Sequence, residues 1–424
     1  MSEPPPQRIV VVGGGLAAGK AAARLRGLGW DGELTVVTDE PHAPYERPPL
    51  SKDLLLHADR RGASAYVQPE VWYAEHAVDL RRSTRVTGID LAGRSVRTEG
   101  GALPYDRLLL ATGSRARRLP PGTVSGAPGR TITCLRTIED SIRIRERLVA
   151  GASVVLIGGG WISMEVAAAA RTAGCHVTVL ERGELPLLKA LGREVAGRFA
   201  ELHRGHGVDL RVRTRVASVH TGAESARVVL EDGRTVAADL VVVGIGADPN
   251  TELATAAGLT VTDGVVADRF LRSSSRRVFT AGDVASVWDR RSQRQRRVEH
   301  WDTALHQGEL AASNMIGAPV AYDRPPYFFS DQFELGMEFV GRLDPGVTHQ
   351  TVIRGDLSSD SFVVLWLRDH VVAAAMHVNA WDSMVPLRTL VETGAPVTDL
   401  GLLADQSSDL IRLVGGGRPA SDSH

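Results

Sequence analysis

Cysteine is nearly absent from this 424-residue chain, which has only Cys134 and Cys175. Two thiols exclude a self-contained iron–sulfur cluster, a four-cysteine zinc site and a disulfide framework, and they form no CxxC redox pair. Lysine is almost as scarce: Lys20, Lys52 and Lys189 are the only three among 49 Lys and Arg residues. With abundant Ala, Gly and Val, that arginine excess points to GC-rich coding more than to chemistry. Neither sign of charge is in surplus, the formal net charge being -1. That balance argues against a dedicated nucleic-acid binder, because phosphate neutralisation needs a basic excess on a domain. No run of about 18 uncharged apolar residues occurs, so no membrane-spanning helix is expected. Residues 1–7 are Pro-rich and lack a basic stretch leading into an apolar core, so no signal peptide is expected. The rest is ordinary, with 43% hydrophobic and 23% charged residues, as in soluble globular proteins. At roughly 100–200 residues per domain the chain has room for two to four domains. The expectation is a soluble cytoplasmic protein without nucleic-acid or membrane partners.

One pattern occurs twice. The first copy runs from Ile9 through Gly13-Gly14-Gly15-Leu16-Ala17-Ala18 into an Ala-rich helical stretch, then through an apolar run to Asp39. The second runs from Val154 through Gly158-Gly159-Gly160-Trp161-Ile162-Ser163 into a helical stretch containing Glu165, then through an apolar run to Glu181. Each reads as buried strand, glycine turn, helix, buried strand, acid, the context in which a GxGxxG-like turn is a dinucleotide fingerprint. The first glycine makes the turn, and the second lets backbone N–H groups approach a pyrophosphate. The helix N-terminus favours its negative charge, and the acid accepts from ribose hydroxyls. Ala18 and Ser163 replace the third glycine with small residues that still permit close packing.

Two such sites suggest one bound flavin and one exchanging nicotinamide. The stretches ending at Ala111-Thr112-Gly113 and Gly244-Ile245-Gly246 are buried strands closing in small residues, where a chain could cross between domains. Val278-Phe-Thr-Ala-Gly282-Asp283 is a further strand delivering a carboxylate at its end.

On these residues the chain resembles the FAD-dependent, NAD(P)H-using ferredoxin reductases of the putidaredoxin reductase and biphenyl dioxygenase reductase type, in the glutathione reductase superfamily. Tyr45-Glu-Arg-Pro-Pro-Leu-Ser-Lys52, Leu135-Arg136-Thr137, Pro249-Asn250 and Ser330-Asp-Gln332 carry the resemblance alongside both glycine turns, and it extends from residue 8 to about 410. It implies an α/β fold with two Rossmann-like dinucleotide-binding domains and a C-terminal α+β domain. The FAD domain would comprise 1–112 and 248–320, the NAD(P)H domain 113–247 and the C-terminal interface domain 321–424. Alternating runs such as Phe362-Val-Val-Leu-Trp-Leu and Val371-Val-Ala-Ala-Ala-Met predict an antiparallel C-terminal sheet with helices behind it.

The resemblance also implies residue roles. For FAD these fall on Gly13, Gly15, Leu16, Ala17 and Ala18 at the pyrophosphate turn, Asp39 on the adenosine ribose and Val86 against the adenine. Arg47 and Lys52 lie near the pyrophosphate and isoalloxazine, Arg136 near the phosphates, and Gly282 and Asp283 on the ribityl chain, with Ala111, Thr112, Gly113 and Ala304 alongside. Glu299-His300-Trp301 precedes a helix expected to begin near Thr303, whose positive end would face the flavin N1–C2=O edge. For the nicotinamide cofactor the positions are Gly158, Gly160, Trp161, Ile162, Glu165, Glu181 and Gly246. Hydride transfer needs stacking and geometry, with no general acid. Lys52 and Glu165 match a pair neighbouring the flavin N5, and Glu165 would also meet the nicotinamide amide. Trp161 stands where similar proteins have an aromatic cover over the flavin, and would otherwise be a packed helix residue. Glu181 favours NADH, while the adjacent Arg182 leaves NADPH open.

Two departures stand out. Phe329 takes the place of a tryptophan near the flavin, and Ser163 replaces a glycine in a way that would loosen nicotinamide binding. Neither cysteine matches the thiol positions of the superfamily's disulfide, peroxide or coenzyme A-disulfide reductases, and both are read as buried packing residues, Cys134 on a strand. That leaves outward electron delivery to a [2Fe-2S] ferredoxin serving a P450 or Rieske oxygenase. The arginine runs at 290–297 and 115–118 could dock an acidic partner or simply be solvated. Two alternatives stay open: direct reduction of a quinone, nitroso compound, biosynthetic intermediate or oxygen, and a redox switch that changes association. A homodimer through the C-terminal domain is also open, and no metal site is expected.

Overall fold

In the computed structural model the described residues are 5–57, 62–126, 130–344 and 346–410. Residues 1–4, 58–61, 127–129, 345 and 411–424 of the expected domains lie outside them. The chain forms two compact units, Met1–Arg118 with Cys134–Arg145 and Gly246–Asp323, and Leu119–Thr133 with Glu146–Ile245 and Arg324–His424.

The first unit is built on a parallel sheet in the order Val278–Thr280, Arg107–Leu110, Arg8–Val12, Glu33–Val37, Val78–Arg81. A strand covered on both faces must be apolar along its buried length, and Ile9–Val12 of the strand Arg8–Val12 meet that requirement. Ile9 and Val11 enter one core with helices Leu16–Gly27 and Trp301–Ile316. Val10 and Val12 enter another beneath the antiparallel strands Val86–Asp90, Ser95–Thr98 and Gly101–Pro104. The two helices meet at Gly308, where a Cβ would stand 2.4 Å from the Ala17 carbonyl oxygen. Only glycine allows that approach.

The second unit repeats the parallel plan in the order Ile132–Thr133, Leu240–Val243, Ser153–Ile157, His176–Leu180, Asp209–Arg211. It also holds the expected antiparallel C-terminal sheet, in the order Tyr327–Gln332, Leu335–Gly341, Val371–Val378, Phe362–Arg368, Gln350–Gly355. Helices Met384–Thr393 and Leu400–Ala404 cover one face of that sheet.

The structure corrects two expectations. Cys134 is half-buried and lies one residue beyond the strand Ile132–Thr133, which ends sooner because only two residues pair with Leu240–Val243. Cys175 is buried, as expected, with its Sγ 3.3 Å from the Val149 carbonyl oxygen. Burial pushes both thiols up, the opposite of what an activated thiolate needs. Secondly, the helix expected near Thr303 begins at Trp301, because the extended His300 already serves as its N-cap.

Candidate functional site

In the first unit, Gly13 (φ 140°) donates its N–H to the Val37 carbonyl, and a Cβ on it would lie 2.1 Å from the Ala111 oxygen. Gly15 is the N-cap of Leu16–Gly27, with no side-chain cap and no acid in the first turn. A Cβ on Gly15 would meet nothing within 4 Å. The first turn is therefore uncapped beside open space at Gly15, the arrangement that receives a phosphate. Leu16, Ala17 and Ala18 are buried behind the turn. Asp39 is exposed just beyond the Glu33–Val37 strand.

Around this turn lies a charged cluster that spacing alone does not reveal. Arg47 donates to Glu40 at 3.0 Å, to the Tyr45 hydroxyl at 3.0 Å and to the Arg136 carbonyl, and Tyr45 in turn donates to Glu40. Arg136 Nη2 pairs with Asp283 Oδ2 at 2.7 Å, and Ser114 Oγ donates to the same oxygen at 2.9 Å. Burial acts to raise the Asp283 carboxyl, but Arg136 and Ser114 outweigh it and hold the carboxyl below the usual range. The Arg136 guanidinium is pushed down by burial and by Arg47 beside it. Its buried Nε has no hydrogen-bond partner among the described residues. A buried cationic N–H without an acceptor is costly in the free chain and fits an anionic ligand.

The chain crossing is tied at Thr112, whose hydroxyl donates to the Asn250 carbonyl while Asn250 Nδ2 donates to the Thr112 carbonyl, each at 2.8 Å. Gly113 and Gly246 both have positive φ there, and Arg117 N–H donates to the Gly246 carbonyl. Gly282 donates its N–H to Gln307 Oε1 at 2.9 Å, beside half-buried Ala304. Helix Trp301–Ile316 has no side-chain cap at His300, and its first turn carries the buried Asp302. Glu299 pairs with Arg297, and Trp301 Nε1 donates to Glu46 at 2.9 Å. Val86 is half-buried at the bulged end of its strand, and Lys52 links the turn Pro48–Ser51 to the helix Asp53–Leu56. The uncapped N-terminus at Gly15, the glycine cradle before it and the unsatisfied Arg136 N–H fit a diphosphate-bearing dinucleotide.

In the second unit Gly158 (φ 101°) donates to the Leu180 carbonyl, and a Cβ on it would lie 2.4 Å from the Gly244 oxygen. Gly160 is the uncapped N-cap of Trp161–Thr172, with nothing nearer its Cβ position than 3.9 Å. Ser163 is fully buried, where a Cβ on Gly244 would come within 2.1 Å of its hydroxyl. The serine thus fills the helix–strand contact and does not intrude on the loop. Glu181 accepts from the Gly159 and Gly183 N–H groups at 2.7 and 2.5 Å, so it braces the loop. Thr38 occupies the equivalent strand-end position of the first unit, with its hydroxyl at Gly14, which sets Asp39 one residue further out. Arg182 and Ile162 are exposed.

Trp161 is half-buried and edge-on to Phe328 at 5.0 Å and Phe199 at 6.3 Å. Glu165, one turn on, is buried and accepts from Ser330 Oγ at 2.7 Å. Phe329 is half-buried opposite Glu338 in the C-terminal sheet. Sequence reasoning gave no roles to Ser114, Gln307, Phe328 or Ser330. Ser330 alone had a signal, the Ser-Asp-Gln motif.

The arginine runs are less free than their composition suggests. Arg115 pairs with Glu252 and Arg117 with Asp248, while Arg296 pairs with Asp289 and Arg297 with Asp263 and Glu299. Arg290, Arg291 and Arg294 are exposed at the tip of the hairpin Ala285–Asp289/Arg294–Arg297. Among the described residues no helix is long and apolar enough to cross a membrane.

A family model described as pyridine nucleotide-disulphide oxidoreductase matches residues 7–308, and one described as reductase C-terminal matches 327–414. The chain is 38% identical over 399 residues to the anthranilate 1,2-dioxygenase system ferredoxin–NAD(+) reductase component of Burkholderia cepacia, covering 93% of this chain and 96% of that protein. It is 36% identical over 410 residues to putidaredoxin reductase of Pseudomonas putida, covering 95% and 96%. The solved covalent putidaredoxin reductase–putidaredoxin complex matches with a TM-score of 0.91 at 35% identity, over 96% of this chain and 98% of that one. The family-model match over residues 7–308 and the agreement with these reductases over more than 90% of the chain show that this chain belongs to the pyridine nucleotide-disulphide oxidoreductase family, as an oxidoreductase that uses FAD and NADH.

Proposed function

We propose that this protein is a cytoplasmic NADH:ferredoxin oxidoreductase that passes electrons through FAD to a [2Fe-2S] ferredoxin serving a P450 or Rieske oxygenase. The observation that carries this reading is the end-to-end match, at 36 and 38% identity, to reductases named for ferredoxin or putidaredoxin. The domains would be 1–112 with 248–320 for FAD, 113–247 for NADH and 321–424 as the C-terminal domain. Bound FAD supplies the conversion of a two-electron hydride donor into a source of single electrons.

The chain's own residues bind and orient. The Gly13–Ala18 turn and its helix N-terminus hold the pyrophosphate, Asp39 the adenosine ribose and Val86 the adenine. Arg136 offers its unused Nε–H, and Asp283, kept ionised by Arg136 and Ser114, accepts from ribityl hydroxyls. Lys52 and the Trp301 helix N-terminus serve the isoalloxazine, the latter favouring negative charge. Gly158–Gly160 and Glu181 would hold NADH, with Trp161 at its nicotinamide end and Glu165 accepting from the nicotinamide carboxamide.

A second reading, direct reduction of a small acceptor, is favoured by the acidic partners that neutralise Arg115, Arg117, Arg296 and Arg297. Anaerobic rapid mixing separates the two. The NADH-reduced protein, mixed with an oxidised [2Fe-2S] ferredoxin, is expected to regain its 450 nm absorbance within a turnover. Regain with a quinone and not with ferredoxin would favour the second reading.

A further inference from the structure

The Ser-Asp-Gln motif at 330–332 has no function in the reading above, yet its two outer residues are almost wholly inaccessible, Ser330 at 1% and Gln332 at 0%. Both sit in the strand Tyr327–Gln332, whose period of two places Phe328, Ser330 and Gln332 on one face. The helix Trp161–Thr172 faces them with a period near four, which places Trp161 and Glu165 on one side. The two periods match. Phe328 meets Trp161 with ring centroids 5.0 Å apart, and Ser330 Oγ donates to Glu165 Oε1 at 2.7 Å.

The chain of hydrogen bonds continues inward. Gln332 Nε2 donates to Ser330 Oγ at 3.1 Å, and Gln332 Oε1 lies 2.9 Å from Nε2 of His203. With its amide nitrogen turned to Ser330, the Gln332 oxygen can only accept, so His203 Nε2–H donates a hydrogen bond to it. His203, Gln332 and Ser330 thus donate in series, and Glu165 is the terminal acceptor. A hydroxyl that itself accepts a hydrogen bond is a stronger donor, so the series reinforces its last link. Every member is buried. Such a network fixes one rotamer, because turning any member leaves a buried polar group unsatisfied.

We propose that Ser330, backed by Gln332, is a positioning residue that holds the Glu165 carboxylate in the orientation that receives the nicotinamide carboxamide. The same strand face seats Trp161 through Phe328, so one strand sets both residues at the nicotinamide. This rests on the reading above that Glu165 contacts the nicotinamide, and the test separates the two claims.

The test measures NAD+ dissociation constants by calorimetry on the oxidised FAD-loaded protein, alongside thermal melting, for Glu165→Gln, Ser330→Ala, Ser330→Thr and Gln332→Leu. A hydrogen bond to a charged group corresponds to about a ten-fold change or more. Ser330→Ala is expected to weaken NAD+ binding about ten-fold, matched by the rise in KM for NADH, and Ser330→Thr to stay within about three-fold of the parent. Gln332→Leu, one link removed, is expected to weaken it about three-fold. If Glu165→Gln weakens binding while Ser330→Ala lowers only the melting temperature, the positioning role is wrong and the motif is structural. If Glu165→Gln leaves binding unchanged, the underlying reading fails and takes the proposal with it. Should Ser330→Ala not yield holoprotein, Gln332→Leu decides, and an unchanged dissociation constant there overturns the proposal.

Discussion

At the residue scale, conformation and burial make sharp demands. Gly13 combines φ of 140° with a Cβ position 2.1 Å from the Ala111 oxygen, so a side chain there must move the strand end that makes the loop. Gly13→Ala should purify largely without flavin, seen as a ratio of 450 to 280 nm absorbance several-fold below the parent. His203 makes a different demand. Burial pushes its pKa down from 6.5 to about 4, with a smaller contribution from His206, while the Gln332 hydrogen bond partly resists. The unfolded chain then binds more protons between about pH 4 and 6.5. This contribution to stability is full above pH 6.5, declines as pH falls and is lost near pH 4, for a total on the order of 3 kcal/mol. The melting temperature of His203→Leu should therefore fall less steeply than the parent's between pH 6.5 and 4.5. An equal slope would remove His203 from the explanation. The glycines were legible in the sequence because their spacing is local. His203 was not, because its partner Gln332 lies 129 residues away.

At the scale of elements, the strands and helices around both loops follow from apolar runs and alternation, and the C-terminal sheet from runs of period two. What the sequence did not disclose is how closely elements approach. Helices Leu16–Gly27 and Trp301–Ile316 meet through Gly308, and a helical glycine carries no sign of the neighbour it admits. Gly308→Ala should force them apart, costing about 1–3 kcal/mol by overpacking and lowering both melting temperature and flavin retention. Arg354 is similar. This buried guanidinium donates to the carbonyls of Leu403, Gln406 and Ser408, tying the end of the Leu400–Ala404 helix to the sheet. Arg354→Met should leave the FAD spectrum intact while making residues 400–410 several-fold more sensitive to limited proteolysis. The charged cluster of Tyr45, Glu40, Arg47, Arg136 and Asp283 was legible only in part. Arg47, Arg136 and Asp283 were individually suspect and Glu40 was not, while the pairing of Arg136 with Asp283 spans 147 residues and no local pattern encodes it.

For the whole molecule, the near-zero net charge hides a surface on which many arginines are already neutralised, as Arg117 is by Asp248 and Arg297 by Asp263 and Glu299. Composition counted the charges, and only the fold shows how they are partnered and which are exposed. If an acidic ferredoxin docks electrostatically, the hairpin tip with Arg290, Arg291 and Arg294 is the candidate surface. Replacing all three with alanine should raise the ferredoxin KM about five- to ten-fold at low ionic strength, with little effect in about 0.5 M salt, where charges are screened within a few ångströms. The central claim, NADH oxidation coupled to a ferredoxin, is tested most directly by NADH-driven cytochrome c reduction at two salt concentrations, with and without a [2Fe-2S] ferredoxin. A large stimulation by ferredoxin that weakens with salt is the predicted result. Rapid bleaching of the flavin by NADH, with no stimulation by ferredoxin at either salt and turnover supported by a quinone, would contradict it.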